Sequence, residues 1–566
     1  MSNDIYSNNM NVISRRFPDV AEYLNNPPRD AGTTGEEADI TVSIVNVDGK
    51  RVLCASKASK MYRLDSLYDP ASMLDIWFEG LGERWDLNGK LYMYGFGNGI
   101  FARKFLGSAR EDCRLIIHEP SYKILDTVIR HFDISDILED TRLELIFWPL
   151  FLSKTLTSFY MDLMSYSDVF SYKTAIYMNY PVLFPSSTGE YINGLKRTAE
   201  YVGASQNVTD RFGAYYSRNT LSNLQFLRES KDILNLAENM PEDIPAIIVA
   251  AGPSLDNNIG ELAKAKGKSI IISTDTALKP LSLAGIVPDI AVIMDGKKDE
   301  RYLSEADSRE VPLVCTPRSG TNFLHLHKGI KFFTDDYCDH IDEFMRSVDR
   351  KLLRLETGGS VANSCFSLAM LLRCRRIILV GQDLAYTENK THSEETVRGS
   401  VKTEIKDLEH VVMDTDINGN PIRSSEEFRF YREWFEQKIK ENPELSVIDA
   451  TEGGVRIAGS ILMTAKDAID KYCTDEFDFR VIVSETAPLF DDKTKEKYDD
   501  YIKDIPRQMG ELRSLISATL ADYKAMRGLV QSDNYRNSRM RNLYDNCQRQ
   551  TRKIEASPVI EYVHNQ

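Results

Sequence analysis

Six apolar runs between residues 246 and 383 each close on small or polar residues of the kind that hold ligands. They end in Gly252-Pro253-Ser254, Ser273-Thr274-Asp275, Asp295-Gly296, Thr316-Pro317-Arg318, Thr334-Asp335-Asp336 and Gly381-Gln382-Asp383. If the runs are parallel strands, these ends share one sheet edge, where ligands bind in the crevice at the point of strand-order reversal. Turn and helix-cap preference explains any one such end but explains six together poorly. In the first, Gly252 permits close backbone approach and Pro253 fixes φ. Ser254 offers a hydroxyl and an N–H at a positive helix end, a set that suits a phosphate. No Gly-Lys-Ser/Thr follows, so this is not the loop that cradles a triphosphate.

A second anion-competent turn, Gly358-Gly359-Ser360, opens the small-residue helical stretch 361–372. Two helix starts at one edge suit a ligand with two negative groups. The long polar loop after residue 383 carries Tyr386, Lys390, Thr391, His392 and Arg398, the composition of an active-site lid. His392 is the candidate for proton transfer, because imidazole titrates near neutrality; Asp275 and Asp383 are the alternative acceptors. His325 and His327 lack the Cys or carboxylate spacing that completes a metal site and are assigned none.

These residues need a scaffold, and the alternation of short apolar runs with helical segments predicts a multidomain α/β chain with a parallel sheet. Three domains are expected, at 1–187, 188–482 and 483–566. In the first, residues 40–56 alternate around Asp48-Gly49 as a hairpin, and SMLDIWFEGL follows as a helix. Gly95, Gly97 and Gly99 then follow a strand, and Glu119 closes the next one twenty residues after Gly99, a spacing that suits a nucleotide-binding unit with the acid on a ribose; a lone glycine-rich turn reads rather as a structural or vestigial Rossmann-like unit. The last region is charged and helical, with Pro506 expected to kink or divide it, and reads as a solvated bundle or a docking module.

With 70 basic against 85 acidic residues the formal charge is −15, which argues against a broad nucleic-acid footprint. The eight cysteines are scattered without CxxC pairs, as reduced core thiols are. No secretory leader or transmembrane segment is readable, so a cytoplasmic protein is expected.

The blocks VAAGPSLD, IISTDTALKPLSLAGIVPDIAVIMDG and ETGGSVANSCFSLAMLLRCRRIILVGQDLAYT, with the KTH that follows, resemble the central domain of the motility accessory factor (Maf) family of flagellin glycosyltransferases. The likeness spans about 244–400, with weaker echoes in SLYDPASMLDIW and ATEGGVRIAG. The resemblance implies a Rossmann-like amino-terminal domain, a central domain similar to bacterial sialyltransferases, and a helical carboxyl-terminal domain, whose long amphipathic helices are expected to dock flagellin. It also implies a CMP-activated nonulosonic acid donor (pseudaminic, legionaminic or related), with a flagellin Ser or Thr as acceptor. On that matching Gly252, Pro253, Ser254, Thr274, Asp295, Thr316, Gly358, Gly359, Ser360, Gln382 and Tyr386 would bind the donor. Thr274 and Asp275 would line the nucleotide side, and Tyr386 would touch the phosphate. Met294-Asp295-Gly296-Lys297-Lys298 departs from the Asp-Pro expected there, which puts the role of Asp295 in question. No cofactor beyond the donor is assigned, and dependence on a divalent metal is left open.

Two other functions compete. A pterin-type pyrophosphokinase shares a similar Gly-Pro-Ser domain and would need magnesium held by Asp275, Asp295 or Asp383. A non-catalytic flagellin-binding chaperone would use the acidic surface and helical tail alone.

Overall fold

The computed structural model describes residues 2–560 except 48, 66–73, 77–88, 152–155, 162, 170–171, 299, 304–306, 336–338, 388–389, 391, 398–410 and 532–537. The chain forms two compact units, Met1–Val208 and Thr209–Gln566. Helix Pro185–Leu227 runs through the division. The boundaries expected at 187/188 and 482/483 both fall inside helices, Pro185–Leu227 and Phe479–Glu485.

In the first unit, β1 (Ile40–Val47), β2 (Lys50–Lys57) and β3 (Lys60–Arg63) form an antiparallel sheet with Val45 opposite Val52, so the expected hairpin is present. The helix expected over SMLDIWFEGL lies outside the described residues but for a turn at 74–76, as does most of SLYDPASMLDIW. Then β4 (Lys90–Tyr94), β5 (Arg114–Glu119), β6 (Leu143–Phe147) and β7 (Lys173–Ile176) make a parallel sheet in the order β6-β5-β4-β7. That is the order of half a dinucleotide-binding fold. Helix Tyr122–His131 shows why the layers hold: Ser121 caps Ile124 N, and Ile124, Leu125, Val128 and Ile129 recur at helical spacing and are buried.

In the second unit, β8 (Ala246–Val249), β9 (Ile270–Thr274), β10 (Ile290–Ile293), β11 (Leu313–Cys315), β12 (Lys331–Phe333) and β13 (Arg376–Val380) realise the six apolar runs. A hairpin of β14 (Val411–Thr415) and β15 (Pro421–Ser425) follows, then β16 (Ser446–Asp449) and β17 (Ile461–Leu462). Eight strands pair in parallel as β12-β11-β10-β9-β8-β13-β16-β17, so the order reverses between β8 and β13. The central strands are apolar throughout because both faces are covered. Ile248, Ile272 and Ile377 meet Ala362, Cys365 and Phe366 of helix Val361–Leu371, while Ile247, Ile271 and Ile378 meet Leu255, Leu281 and Ile469.

Helix Asp492–Gln531 belongs to this unit and brings Tyr498, Ile505 and Leu512 to the cluster around Leu313, Cys315 and Phe333. Pro506 sits inside this helix without dividing it. The seven described cysteines other than Cys338 are all buried and form no disulfide. Among the described residues no helix is long and apolar enough to cross a membrane.

Candidate functional site

The reversal point brings Gly252-Pro253-Ser254 from β8 against Gly381-Gln382-Asp383 from β13. Gly252 N donates to Gly381 O at 2.8 Å. Ser254 Oγ donates to Asp383 Oδ2 at 2.6 Å, and its N–H points at the same carboxylate at 3.2 Å. Ser254 was expected to cap its helix; it makes no side-chain cap, and the helix that follows is only Leu255–Asn258. The anion that this turn holds is Asp383. A Cβ on Gly252 would lie 2.1 Å from Asp383 Oδ2 and 2.5 Å from Gly381 O, so glycine is needed for this approach of chain to chain. Burial raises the Asp383 carboxyl above its ordinary value, against the opposing hydrogen bonds from Ser254.

Next to it, β16 ends in Asp449, buried and pushed up to about 6, first by burial and further by the charge of Asp383. Thr451 Oγ1 accepts from Gln382 N at 3.2 Å, and Val455 N donates to Asp383 O at 2.8 Å. Asp449 and Thr451 were missed in the sequence, although SVIDA follows the same rule of an apolar run with a polar end.

At the end of β9, Asp275 Oδ1 meets the buried ammonium of Lys298 at 3.0 Å and Thr276 Oγ1 at 2.9 Å. Lys298 also donates to Thr276 Oγ1 and lies 4.1 Å from the centre of the Tyr302 ring. Asp275 Oδ2, Thr274 Oγ1, Ser273 Oγ and Gln382 Oε1 are buried with no hydrogen-bond partner among the described residues. Buried polar groups in proteins are as a rule satisfied, and each one left without a partner costs about 1–3 kcal/mol. Unlike the Ser254–Asp383 pair, this edge retains hydrogen-bonding capacity for a ligand.

The turns after β10 and β11 are set by the long helix. Asn219 Nδ2 donates to Gly296 O and Arg318 O at 2.9 and 3.0 Å, and Asn223 Nδ2 to Pro317 O and Ser319 O at 2.9 and 2.7 Å. Asp295 caps Lys297 N at 2.8 Å, and Thr316 N donates to Ser319 Oγ at 3.0 Å. Asp335, after β12, accepts from Arg354 Nε at 2.8 Å; Asp336 lies outside the described residues.

Gly358-Gly359-Ser360 does open a helix, Val361–Leu371, which packs against β8, β9 and β10. Ser360 and Asn363 form a reciprocal capping box. Gly358 is pressed on Trp434 and Asn363, and Gly359, at φ +91°, on Tyr431, which puts an aromatic wall beside this turn. Tyr386 is buried, its ring 5.5 Å from that of Phe428. His392 is half-buried, and its neighbours staple the loop to the first turn: Ser393 N donates to Ala251 O at 3.0 Å and Glu394 N to Asp256 Oδ2 at 3.1 Å. Thr391 and Arg398 lie outside the described residues.

The glycine-rich turn of the first unit is built differently. Glu119, spaced as the ribose-binding acid of a nucleotide unit would be, is fully buried and accepts from Phe96 N, Ser121 N and Tyr180 Oη at 2.8, 2.8 and 2.7 Å, in keeping with a structural unit. A Cβ at Gly97 would fall 1.9 Å from the Tyr177 ring, and one at Gly95 2.6 Å from that of Tyr180. Tyrosine rings fill the space that a nucleotide would take. His327 is buried with Nε2 2.7 Å from Val311 O, while His325 packs on Phe226. Among the described residues no cluster of three His, Cys, Asp or Glu is arranged to hold a metal.

The family model described as 6-hydroxymethylpterin diphosphokinase MptE-like matches residues 218–389, from the long helix into the loop after β13. A protein of Treponema pallidum (strain Nichols) described as uncharacterized is 27% identical over 149 residues, which is 26% of this chain and 66% of that protein. The solved structure of MAf glycosyltransferase from Magnetospirillum magneticum AMB-1 aligns with a TM-score of 0.57 at 17% identity, covering 100% of this chain and 91% of that one. This chain has the fold of that glycosyltransferase. The resemblance read from the central motifs therefore extends, as a fold, to both flanking regions.

Proposed function

We propose that the chain is a glycosyltransferase that moves a nonulosonic acid from a CMP-activated donor to a Ser or Thr hydroxyl of flagellin in the cytoplasm. The observation that carries this reading is the fold shared over the whole chain with MAf glycosyltransferase, flanking regions included. The unsatisfied polar groups at the ends of β9 and β13 support a ligand crevice at the place where such sheets bind nucleotides.

In the proposed reaction the acceptor oxygen attacks the anomeric carbon, the bond from that carbon to the phosphate oxygen breaks, and CMP leaves with the bonding electron pair. The acceptor proton passes to a base. His392 takes that role, since its loop is stapled to the Ala251–Asp256 turn. Asp383 acts as a positioning residue, its carboxylate being taken up by Ser254. The amino end of helix Val361–Leu371 offers a positive dipole end to the departing phosphate.

The match to the pterin diphosphokinase model over 218–389 favours a second reading, pyrophosphoryl transfer from ATP. Of the carboxylates it would need for magnesium, Asp383 is taken up by Ser254, Asp295 caps Lys297 N, and Asp275 carries the Lys298 ammonium on one of its two oxygens. Incubating the chain with purified flagellin and a panel of CMP-nonulosonic acids, then weighing intact flagellin, tests the first reading. A gain of whole sugar residues with one donor is expected. Unmodified flagellin with every donor, alongside diphosphate transfer from ATP to a hydroxymethylpterin, would establish the second. Flagellin bound but unmodified, with neither activity, would leave the chaperone.

A further inference from the structure

We infer that Asp275 recognises the ribose of the bound nucleotide, its Oδ2 accepting a sugar hydroxyl; this rests on reading the β8–β9–β13 edge as a nucleotide site. The strand order β10-β9-β8-β13 repeats that of β6-β5-β4-β7 in the first unit. In sheets of this order the acid that closes the strand beside the glycine turn, about 20 residues on, reaches a ribose hydroxyl. Asp275 closes β9 twenty-three residues after Gly252.

The electrostatics fix which chemistry this acid takes. Lys298 at 3.0 Å and Thr276 at 2.9 Å occupy Oδ1, which leaves Oδ2 as a buried acceptor without a partner among the described residues. Such an oxygen takes a hydroxyl or amine donor and repels a phosphate or a sugar carboxylate. Thr274 Oγ1, also unpartnered, can accept from or donate to the second hydroxyl of a vicinal diol. Glu119 holds the equivalent place in the first unit, where three protein donors already occupy its carboxylate. Lys298 is then a positioning residue, acting on the ligand through Asp275.

Calorimetric titration of the full chain with CMP, 2′-deoxyCMP and 3′-deoxyCMP tests the assignment. Wild type should bind CMP about tenfold more tightly than one of the two deoxy analogues, the usual size of a hydrogen bond to a charged group. In Asp275→Ala that preference should fall to within about twofold, with affinity for the deoxy analogue little changed. The double variant Asp275→Ala/Lys298→Met, which removes the buried pair as a unit, should behave alike and guards against misfolding of the single variant. Equal binding of all three nucleotides by wild type, or a preference that survives in both variants, overturns the ribose assignment while the nucleotide site stands. If AMP binds in place of CMP, the same preference is read on deoxyAMP, and the donor reading fails while the assignment is still decided. Failure of both CMP and AMP to bind wild type overturns the two together.

Discussion

The two parallel sheets of this chain place the same parts at the same positions and use them differently. Each has a glycine turn after its switch-point strand, an acid closing the neighbouring strand and a histidine close by. Around β4 the glycines admit Tyr177 and Tyr180, Glu119 is saturated by three donors, and His118 is buried against Tyr160 with its pKa driven down to about 3 by burial. Around β8, Gly252 admits the Asp383 carboxylate and Gly381 O, Asp275 keeps an oxygen without a partner among the described residues, and His392 sits on a loop stapled to the turn. Glycine spacing thus reports that something approaches the backbone closely, without reporting what. The state of the acid separates the two units: Glu119 is saturated by protein donors, while Asp275 has one oxygen without a partner among the described residues.

The largest effect should separate the histidines. His392→Gln is expected to slow single-turnover transfer by about 10²–10⁴-fold with CMP affinity within about twofold, as loss of a general base does. His118→Gln should change stability and leave the transfer rate alone. Rapid-quench measurement at saturating donor checks both, and near wild-type transfer by His392→Gln would assign the base elsewhere.

Alanine at the two turn glycines sharpens the contrast. Gly97→Ala puts a Cβ 1.9 Å from the Tyr177 ring at φ +56°, and Gly252→Ala puts one 2.1 Å from Asp383 Oδ2. Each should lose about 3 kcal/mol or more of stability. Only Gly252→Ala should also weaken CMP binding, read by titration of the folded fraction; equal loss of binding in both variants would erase the distinction between the sheets.

The saturated acid should give the first unit a pH signature. Burial raises Glu119 from 4.5 to about 7, so its proton stabilises the folded form. That contribution is complete below about pH 4.5 and is lost as pH rises through about 7, a loss of about 3 kcal/mol. Urea unfolding across this range should show the slope in wild type and a flatter one in Glu119→Gln. An unchanged slope in the variant would place the titrating group elsewhere.

Smallest is the matched pair of hydroxyl deletions. Ser254→Ala removes the 2.6 Å bond to Asp383, and Tyr180→Phe the 2.7 Å bond to Glu119; each should cost about 2 kcal/mol in thermal or chemical unfolding. Only Ser254→Ala should disturb nucleotide affinity. If Tyr180→Phe does so equally, the first sheet is more than a scaffold.

The six strands β8–β13 and the edge they share were legible, because fully buried parallel strands leave unbroken apolar runs with polar ends. Asp449 was legible by the same rule and was missed, although its strand is longer than β11 or β12. The β14–β15 hairpin carried its own signal in Asn418-Gly419 between alternating residues. What local spacing could not give was the occupant of each turn. Tyr177 and Tyr180 lie some eighty residues beyond the glycines they fill, and Asp383 lies 129 residues from Ser254. Nor could it show the clamp of Asn219 and Asn223, whose i, i+4 spacing looks like any polar helix face until the turns they bind are in place.

A structure of the full chain with CMP bound tests the central contrast most directly. The nucleotide is expected at the ends of β8, β9 and β13, its ribose on Asp275, with the turn at Gly95–Gly99 still filled by Tyr177 and Tyr180. CMP found against Gly97 and Glu119 with the tyrosines displaced, and the β8–β9–β13 edge unchanged, would contradict it.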